Sequence, residues 1–383
     1  MRATKAIAVA GAAAVTVLLA AGCGSSGATT TSASSGGVSE STAASATSLA
    51  AFGGMSGLVK AAKAEGQLNV ITLPDDWANY GTIMKDFTAK YGIKITDENP
   101  DGTSQDELNA IAQLKNQSRA PDVVDVGTAF AAKGEADGDW APYEVQSWSD
   151  IPASAKAANG DYYADYGGYV AIGCDTAKVK VCPTSFADLL KPEYKNEVAM
   201  NGNPTEAGAA FAAVYAAALA NGGSLSNIAP GVAFFKKLDQ AGNFVPVTGS
   251  ASTVESGQTP LLIWWDYLLA SEVQSSVKTF KIVIPSDAAY AGYYDQAISK
   301  YAPDPAAARL WEEYLYSVTG QNLWLEGEAR PIELSTLISN GTVDKTAYAA
   351  LPAAPSTPLQ LPTIAQQTAA ENVVAQQWSS VSG

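Results

Sequence analysis

From Gln67 onward, short apolar runs alternate with stretches of helical spacing, which restricts the chain to helices packed on mainly parallel sheets. The clearest run, Leu261–Trp264 in the segment PLLIWWDY, has the length and character of a buried strand. It ends on Trp265-Asp266-Tyr267, two aromatic rings around a carboxylate. Sheets of this kind bind ligands in the crevice at the carboxyl ends of their strands. A chain of 383 residues exceeds one ordinary core. Two α/β domains with a cleft between them are therefore expected.

In chain order, the spacing predicts a helix over Leu58–Glu65, a strand over Gln67–Leu73, and a helix carrying Tyr80, Ile83, Met84, Phe87 and Tyr91 on one face. A strand at Ile93–Thr96 follows. Ser104-x-x-Glu107 reads as a capping box opening the next helix. Pro121–Val126 is a third strand, completing a βαβαβ unit. Tyr162–Asp175 is extended and glycine-rich, and places the first crossing between domains near Gly167-Gly168. The second domain holds a strand at Glu197–Met200, an alanine-rich helix at Ala207–Ala220 with Phe211, Val214 and Tyr215 inward, the PLLIWWDY strand and a return strand at Lys281–Ile284. The segment through Tyr293-Tyr294 crosses back. Asp304 and Pro305 open a helix that belongs with the first sheet, and Leu361–Trp378 supplies a last helix to the same domain.

The amino terminus reads as an export signal. Arg2 and Lys5 precede the apolar run Ala6–Ala21, which is shorter than the ~20 residues a stable membrane span usually needs. The expected division is a signal peptide over 1–22, a flexible tether over 23–49 and the folded body beyond. Gly24–Leu49 is rich in Ser, Thr, Gly and Ala, with Glu40 its single charge, too few apolar side chains to offset the entropy of ordering. Cys174 and Cys182 lie close together in an exported chain, so a disulfide closing that loop is favoured over a redox pair, for which C-x-x-C is absent.

Composition excludes several functions. The net charge of −15, from 23 Lys and Arg against 38 Asp and Glu, disfavours nucleic acid and anionic lipid as partners and favours cationic ligands. No histidine is present, so Ser-His-Asp and Cys-His catalysis and His-liganded zinc are impossible. Ser275-x-x-Lys278 matches S-x-x-K, but the accompanying S-D-N and K-T-G are missing. No catalytic residue, cofactor or resident metal is expected, and a secreted hydrolase using Asp76 and Asp266 is the alternative outside the receptor class.

The order of several segments carries a resemblance. Leu18-Leu19-Ala20-Ala21-Gly22-Cys23 resembles a bacterial lipobox, in which Cys23 receives the lipid. The Ser- and Thr-rich spacer, EGQLNVIT, PDVVDVG, YGGYVAIG, VAMNGNPTEAGAA, VESGQTPLLIWWDY and YSVTGQNLWL follow in the order found in substrate-binding proteins of bacterial ABC importers, in the group that takes ferric iron, polyamines, thiamine or phosphonates. The resemblance implies a type II periplasmic-binding-protein-like fold: lobe 1 from residues 50–168 and 285–383, lobe 2 from 169–284, joined by crossover strands. It implies a monomer exported to the outer face of the cytoplasmic membrane. Its partners would be a small solute, a permease and a cytoplasmic ATPase.

Five places converge on the expected cleft. They are Asp75, Asp76 and Trp77 after the first strand; Gly127 and Thr128 after the third; Asn203 and Thr205 before a helix; Trp265, Asp266 and Tyr267; and Tyr293 with Tyr294 at the second crossing. Carboxylates beside indole and phenol rings suit an ammonium ligand, which favours a polyamine or other organic cation. Tyr293 and Tyr294 would also suit ferric ion, and the helix start after Asn203 an aminoalkylphosphonate. Each place also has a plain structural use. Asp75-Asp76 fits a helix cap, Tyr293-Tyr294 fits hinge packing, and strand alternation puts Trp264 in the core opposite Trp265.

Overall fold

The computed structural model describes residues 38–352 and 361–381. The signal segment and Cys23 lie outside the described residues. Strands β1 (Gln67–Ile71) and β2 (Lys94–Glu98) pair in parallel, with helix α3 (Tyr80–Tyr91) between them in sequence. β3 (Val123–Gly127) pairs antiparallel with β9 (Ala291–Ile298). The long strand β4 (Tyr163–Asp175) runs beside β9 as far as Tyr169 and beside β7 (Leu261–Trp265) from Val170. β7 continues in parallel to β5 (Val198–Met200), and β5 to β6 (Phe244–Thr248), while β8 (Phe280–Val283) returns antiparallel to β4. The parallel pairs thus lie within each lobe, and the antiparallel ones belong to the strands that connect them. β4 and β9 are the crossover strands, and the architecture is α/β and two-lobed.

Local sequence explains most boundaries. α3 buries Tyr80, Ile83 and Phe87, three- and four-residue steps along one face, and Phe87 stands edge-on to Trp311 of the helix Pro305–Leu315. α6 (Gly208–Ala220) is buried on every side from Ala209 to Ala218, not only at Phe211, Val214 and Tyr215. Helix α4 (Ser104–Leu114) corrects the expected capping box by one residue. Thr103 and Asp106 form the box, because Ser104 and Glu107 bond to β3 instead, accepting from the backbone N–H of Gly127 and Asp125.

Two assignments at the termini are also corrected. The segment assigned to the tether is folded at its end: α1 (Glu40–Ser45) is capped by Ser39 and buries Ala43. Its carbonyls at Ala44 and Ala46 accept from the buried Arg309 guanidinium at 3.0 and 2.8 Å. A count of apolar side chains misses this anchor, since the partner is an arginine. The carboxy-terminal helix Ile364–Gln377 does not belong to one lobe. It contacts α5 (Thr128–Asp137) on one side and α7 (Ala229–Gln240) on the other, and the Tyr215 hydroxyl donates to Gln366 O at 3.1 Å. The sulfurs of Cys174, in β4, and Cys182 are bonded to each other.

Candidate functional site

A cleft of about 470 Å³ opens between the lobes. Its first wall follows the end of β1, where Asp76 and Trp77 sit on a turn, with Asp101 on the loop after β2. Its second wall comes from the loop after β5, carrying Asn203 and Glu206, and from Trp264 and Glu272, the latter on the π-helical turn Leu269–Gln274. The back wall is aromatic. Trp77 stands edge-on to Trp264 at 6.1 Å and to Tyr294 at 5.7 Å, so each lobe and one crossover strand contribute a ring. The lobes touch where Gly127 meets Gly208; a Cβ on Gly127 would lie 3.2 Å from Gly208 Cα.

The floor is built from α4 and β3. Glu107 and Asp125 line the cleft and are almost fully buried. Asp125 Oδ2 accepts from the Tyr80 hydroxyl at 2.7 Å and from the Tyr166 hydroxyl at 2.9 Å. Tyr166 in turn accepts from Trp77 Nε1 at 2.7 Å, and Tyr80 from Gln296 Nε2 at 3.0 Å. This chain of bonds ties the aromatic wall to the floor. One oxygen of each carboxylate, Glu107 Oε1 and Asp125 Oδ1, has no partner.

The lining contains six carboxylates (Asp76, Asp101, Glu107, Asp125, Glu206 and Glu272) and no lysine or arginine. Burial pushes Glu272 up to about 8, with the charges of Asp76 and Asp101 across the cleft adding to the shift. Such a surface attracts cations and repels phosphate, and its two walls repel each other unless a cation or a proton intervenes.

The candidates read from sequence divide among several places. Asp76, Trp77, Asn203 and Tyr294 are brought together in the cleft. Asp75 faces an outer groove beside Met84 and Asp97. Thr205 does not line the cleft; its hydroxyl and N–H both donate to Asn203 Oδ1, closing a local turn. Gly127, Thr128, Trp265 and Tyr293 line a second, smaller cavity, which shares Gly208 and Tyr294 with the cleft. Trp265 packs there over Gly292, where a Cβ would come within 2.6 Å of the indole.

Asp266 and Tyr267 do not line the cleft. Asp266 is fully buried, pairs with Arg330 Nη1 at 2.7 Å and accepts from Tyr169 N at 2.9 Å. Burial raises its pKa, opposed by the guanidinium. Tyr267 is fully buried, edge-on to Tyr166. The expectation for Trp264 is reversed as well, since it and not Trp265 reaches the cleft. Tyr293 and Tyr294 alternate along β9; both line the smaller cavity, and Tyr294 alone of the two also lines the cleft. In the S-x-x-K segment, Ser275 Oγ donates to Glu272 O, and Lys278 bonds the carbonyl of Ser275, not its hydroxyl.

Sequence reasoning missed Asp101, Glu107, Asp125, Glu206 and Glu272. Asp125 offered a signal, a charged residue in the otherwise apolar run PDVVDV. Glu107 was hidden by a sufficient local explanation as a cap, and Glu272 by an ordinary polar helical context.

Residues 118–351 match the family model described as bacterial extracellular solute-binding protein. No curated protein matches the sequence. Among solved structures, the chain is similar to the periplasmic binding protein AfuA from Actinobacillus pleuropneumoniae with exogenous fructose-6-phosphate bound. The identity is 18% and the TM-score 0.64, over 82% of this chain and 99% of that one. A putative spermidine/putrescine ABC transporter protein from Listeria monocytogenes aligns at 12% identity and TM-score 0.63, over 82% and 99%. Iron-bound HitA from Pseudomonas aeruginosa aligns at 17% and 0.61, over the same shares. At these identities the likeness establishes the fold, a type II periplasmic binding protein.

Proposed function

This chain belongs to the bacterial extracellular solute-binding proteins, the receptors of ABC importers, and we propose that its solute is an organic cation, a diamine or polyamine foremost. The observation that carries this is the lining of the cleft: six carboxylates and three aromatic rings, with no basic side chain. A cation over an indole or phenol face gains ~0.5–2 kcal/mol, more where water is excluded. A carboxylate adds a charge-assisted hydrogen bond. A ligand closes two lobes only by binding the closed form more tightly than the open one. A cation does so here because it removes the repulsion between Glu272 on one wall and Asp76 and Asp101 on the other.

Asp76, Trp77, Asn203, Trp264, Glu272 and Tyr294 are the contacts of this reading, with Glu107 and Asp125 beneath. Lobe 1 extends from the amino-terminal folded segment to Gly168 and resumes near residue 285; lobe 2 lies between. Cys23 carries the lipid, which holds a monomeric body at the outer face of the membrane, within reach of the permease. Phosphorylated solutes suit an acidic cleft poorly, and a ferric site would rest on Tyr294 alone of the tyrosine pair.

Thermal melting of the purified protein with putrescine, spermidine, choline, thiamine, ferric citrate, 2-aminoethylphosphonate and fructose 6-phosphate tests the reading. A ligand at a hundred times its dissociation constant adds about 2.7 kcal/mol of stability. Stabilisation by amines alone is expected. Stabilisation only by the phosphorylated compounds or by ferric citrate would overturn it.

A further inference from the structure

The two floor carboxylates differ from those at the rim. Asp76, Asp101 and Glu206 are exposed, whereas Glu107 and Asp125 are buried and each keeps one oxygen without a hydrogen-bond partner. Their other oxygens are committed, Glu107 Oε2 to the backbone N–H of Asp125 at 3.1 Å and Asp125 Oδ2 to two phenols. A buried anionic oxygen without a donor is costly, and the usual escape is to hold a proton. A cation that reaches the floor compensates the bared charge in place of that proton, and an ammonium N–H supplies the missing donor as well.

We propose that capture of the cation expels a proton from the Glu107–Asp125 pair, so that solute binding at the floor of the cleft is proton-linked. This rests on the reading of the protein as a receptor for organic cations. In the empty site, one of the two carboxyls holds the proton. On binding, that proton leaves to bulk water, and the ammonium group takes its place against the bared oxygens. At the floor the charge balances: one cationic group enters and one proton leaves.

The surroundings favour the protonated empty state. Facing Asp125 are Glu107 from α4, Tyr80 from α3, Asp165 and Tyr166 from β4, Tyr267 beyond β7, Tyr294 and Asp295 from β9, and Glu312 from the helix Pro305–Leu315. Facing Glu107 are Asp125, Asp97 of β2, Asp106 of α4, Tyr80 and Tyr294. None of these is basic. Burial pushes Asp125 up to about 7 despite its two phenol donors, and holds Glu107 well above the carboxylate range, with the Asp125 charge adding. The pair titrates as a unit.

The test is calorimetric titration of the full chain with putrescine, and separately with choline, from pH 5.5 to 8.5, in two buffers of different ionisation enthalpy. Both probes stay cationic throughout that range. The expected result is an affinity that rises up to about tenfold per pH unit below pH 7 and flattens above pH 8. The apparent enthalpy should depend on the buffer, giving close to one proton released per cation bound near pH 6. Glu107→Gln and Asp125→Asn should reduce that number. The wild-type titration stands even if a floor variant fails to fold. Binding with a flat pH profile and no buffer dependence overturns the proposal and leaves the cation receptor standing. Proton release that survives both floor variants but vanishes with Glu272→Gln assigns the linkage to the rim and overturns it too. No binding of either probe at any pH removes the cation reading, and this proposal with it.

Discussion

Trp264 and Trp265 are neighbours in one strand and serve opposite faces of it. Trp264 stands edge-on to Trp77 at 6.1 Å in the cleft, while Trp265 lies over Gly292 in the adjoining smaller cavity. Trp264→Ala should therefore weaken binding of an organic cation roughly two- to thirty-fold, the loss of a cation–ring contact of ~0.5–2 kcal/mol. Trp265→Ala should leave affinity close to unchanged and cost about 3–5 kcal/mol of stability, as large-to-small core changes do. Titration calorimetry and urea unfolding of the two variants separate these effects. The reverse pattern would show that the solute sits in the smaller cavity against Trp265.

Asp266 is predicted to support the fold. Its carboxylate and the Arg330 guanidinium are both buried and 2.7 Å apart. Asp266→Ala strands the guanidinium and should cost about 3–5 kcal/mol. Replacing both partners with apolar residues of similar size, Asp266→Leu with Arg330→Met, should recover much of that loss. Urea midpoints of the single and double variants check it. A double variant no more stable than the single one would mean that the pair does more than neutralise itself.

Buried carboxyls set the direction of the pH dependence of stability. Burial pushes Asp125 and Glu333 up to about 7 and Asp295 up to about 8, against about 4 in an unfolded chain. Between those values the folded protein holds protons that the unfolded chain has released. The destabilisation is complete above pH 8 and relaxes as pH falls toward the unfolded values. Each such proton changes stability by up to ~1.4 kcal/mol per pH unit. The melting temperature should rise from pH 8 to pH 5, as measured by scanning calorimetry. A maximum above pH 7 would mean that these carboxyls stay ionised in the folded protein.

The elements were legible in the sequence because their signals are local. The PLLIWWDY run, the periodicity of Tyr80, Ile83 and Phe87, and the Asp304-Pro305 start each announce themselves within a few residues, and each element forms there. The site was only half legible because facing is tertiary. Which indole of Trp264 and Trp265 meets the cleft depends on how β7 pairs with β4, at Val170↔Trp265 and Ala171↔Trp264, and nothing in the pentapeptide states it. Asp266 looked functional as a carboxylate between rings, yet its partner Arg330 lies 64 residues away. Glu107 looked structural as half of a capping box, yet Asp106 took that role with Thr103 and freed Glu107 for the floor. In each case, a partner distant in sequence decides what the residue does.

Glu272 offers the most direct test of how the lobes close. It faces Asp76 and Asp101 from the opposite wall, and burial together with those two charges pushes it up to about 8. Without a solute, bringing the walls together must either protonate Glu272 or bear the repulsion. The ligand-free protein at pH 8.5 should therefore favour an open arrangement, and Glu272→Gln should relieve that bias. Small-angle scattering should show a smaller ligand-free radius of gyration for the variant and a smaller change on adding putrescine. The variant should also bind putrescine roughly tenfold or more weakly, because a charge-assisted hydrogen bond worth ~1.5–3 kcal/mol is lost. A variant with the wild-type radius and wild-type affinity would mean that Glu272 neither holds the lobes apart nor touches the solute. The contacts on the second wall would then reduce to Asn203, Glu206 and Trp264.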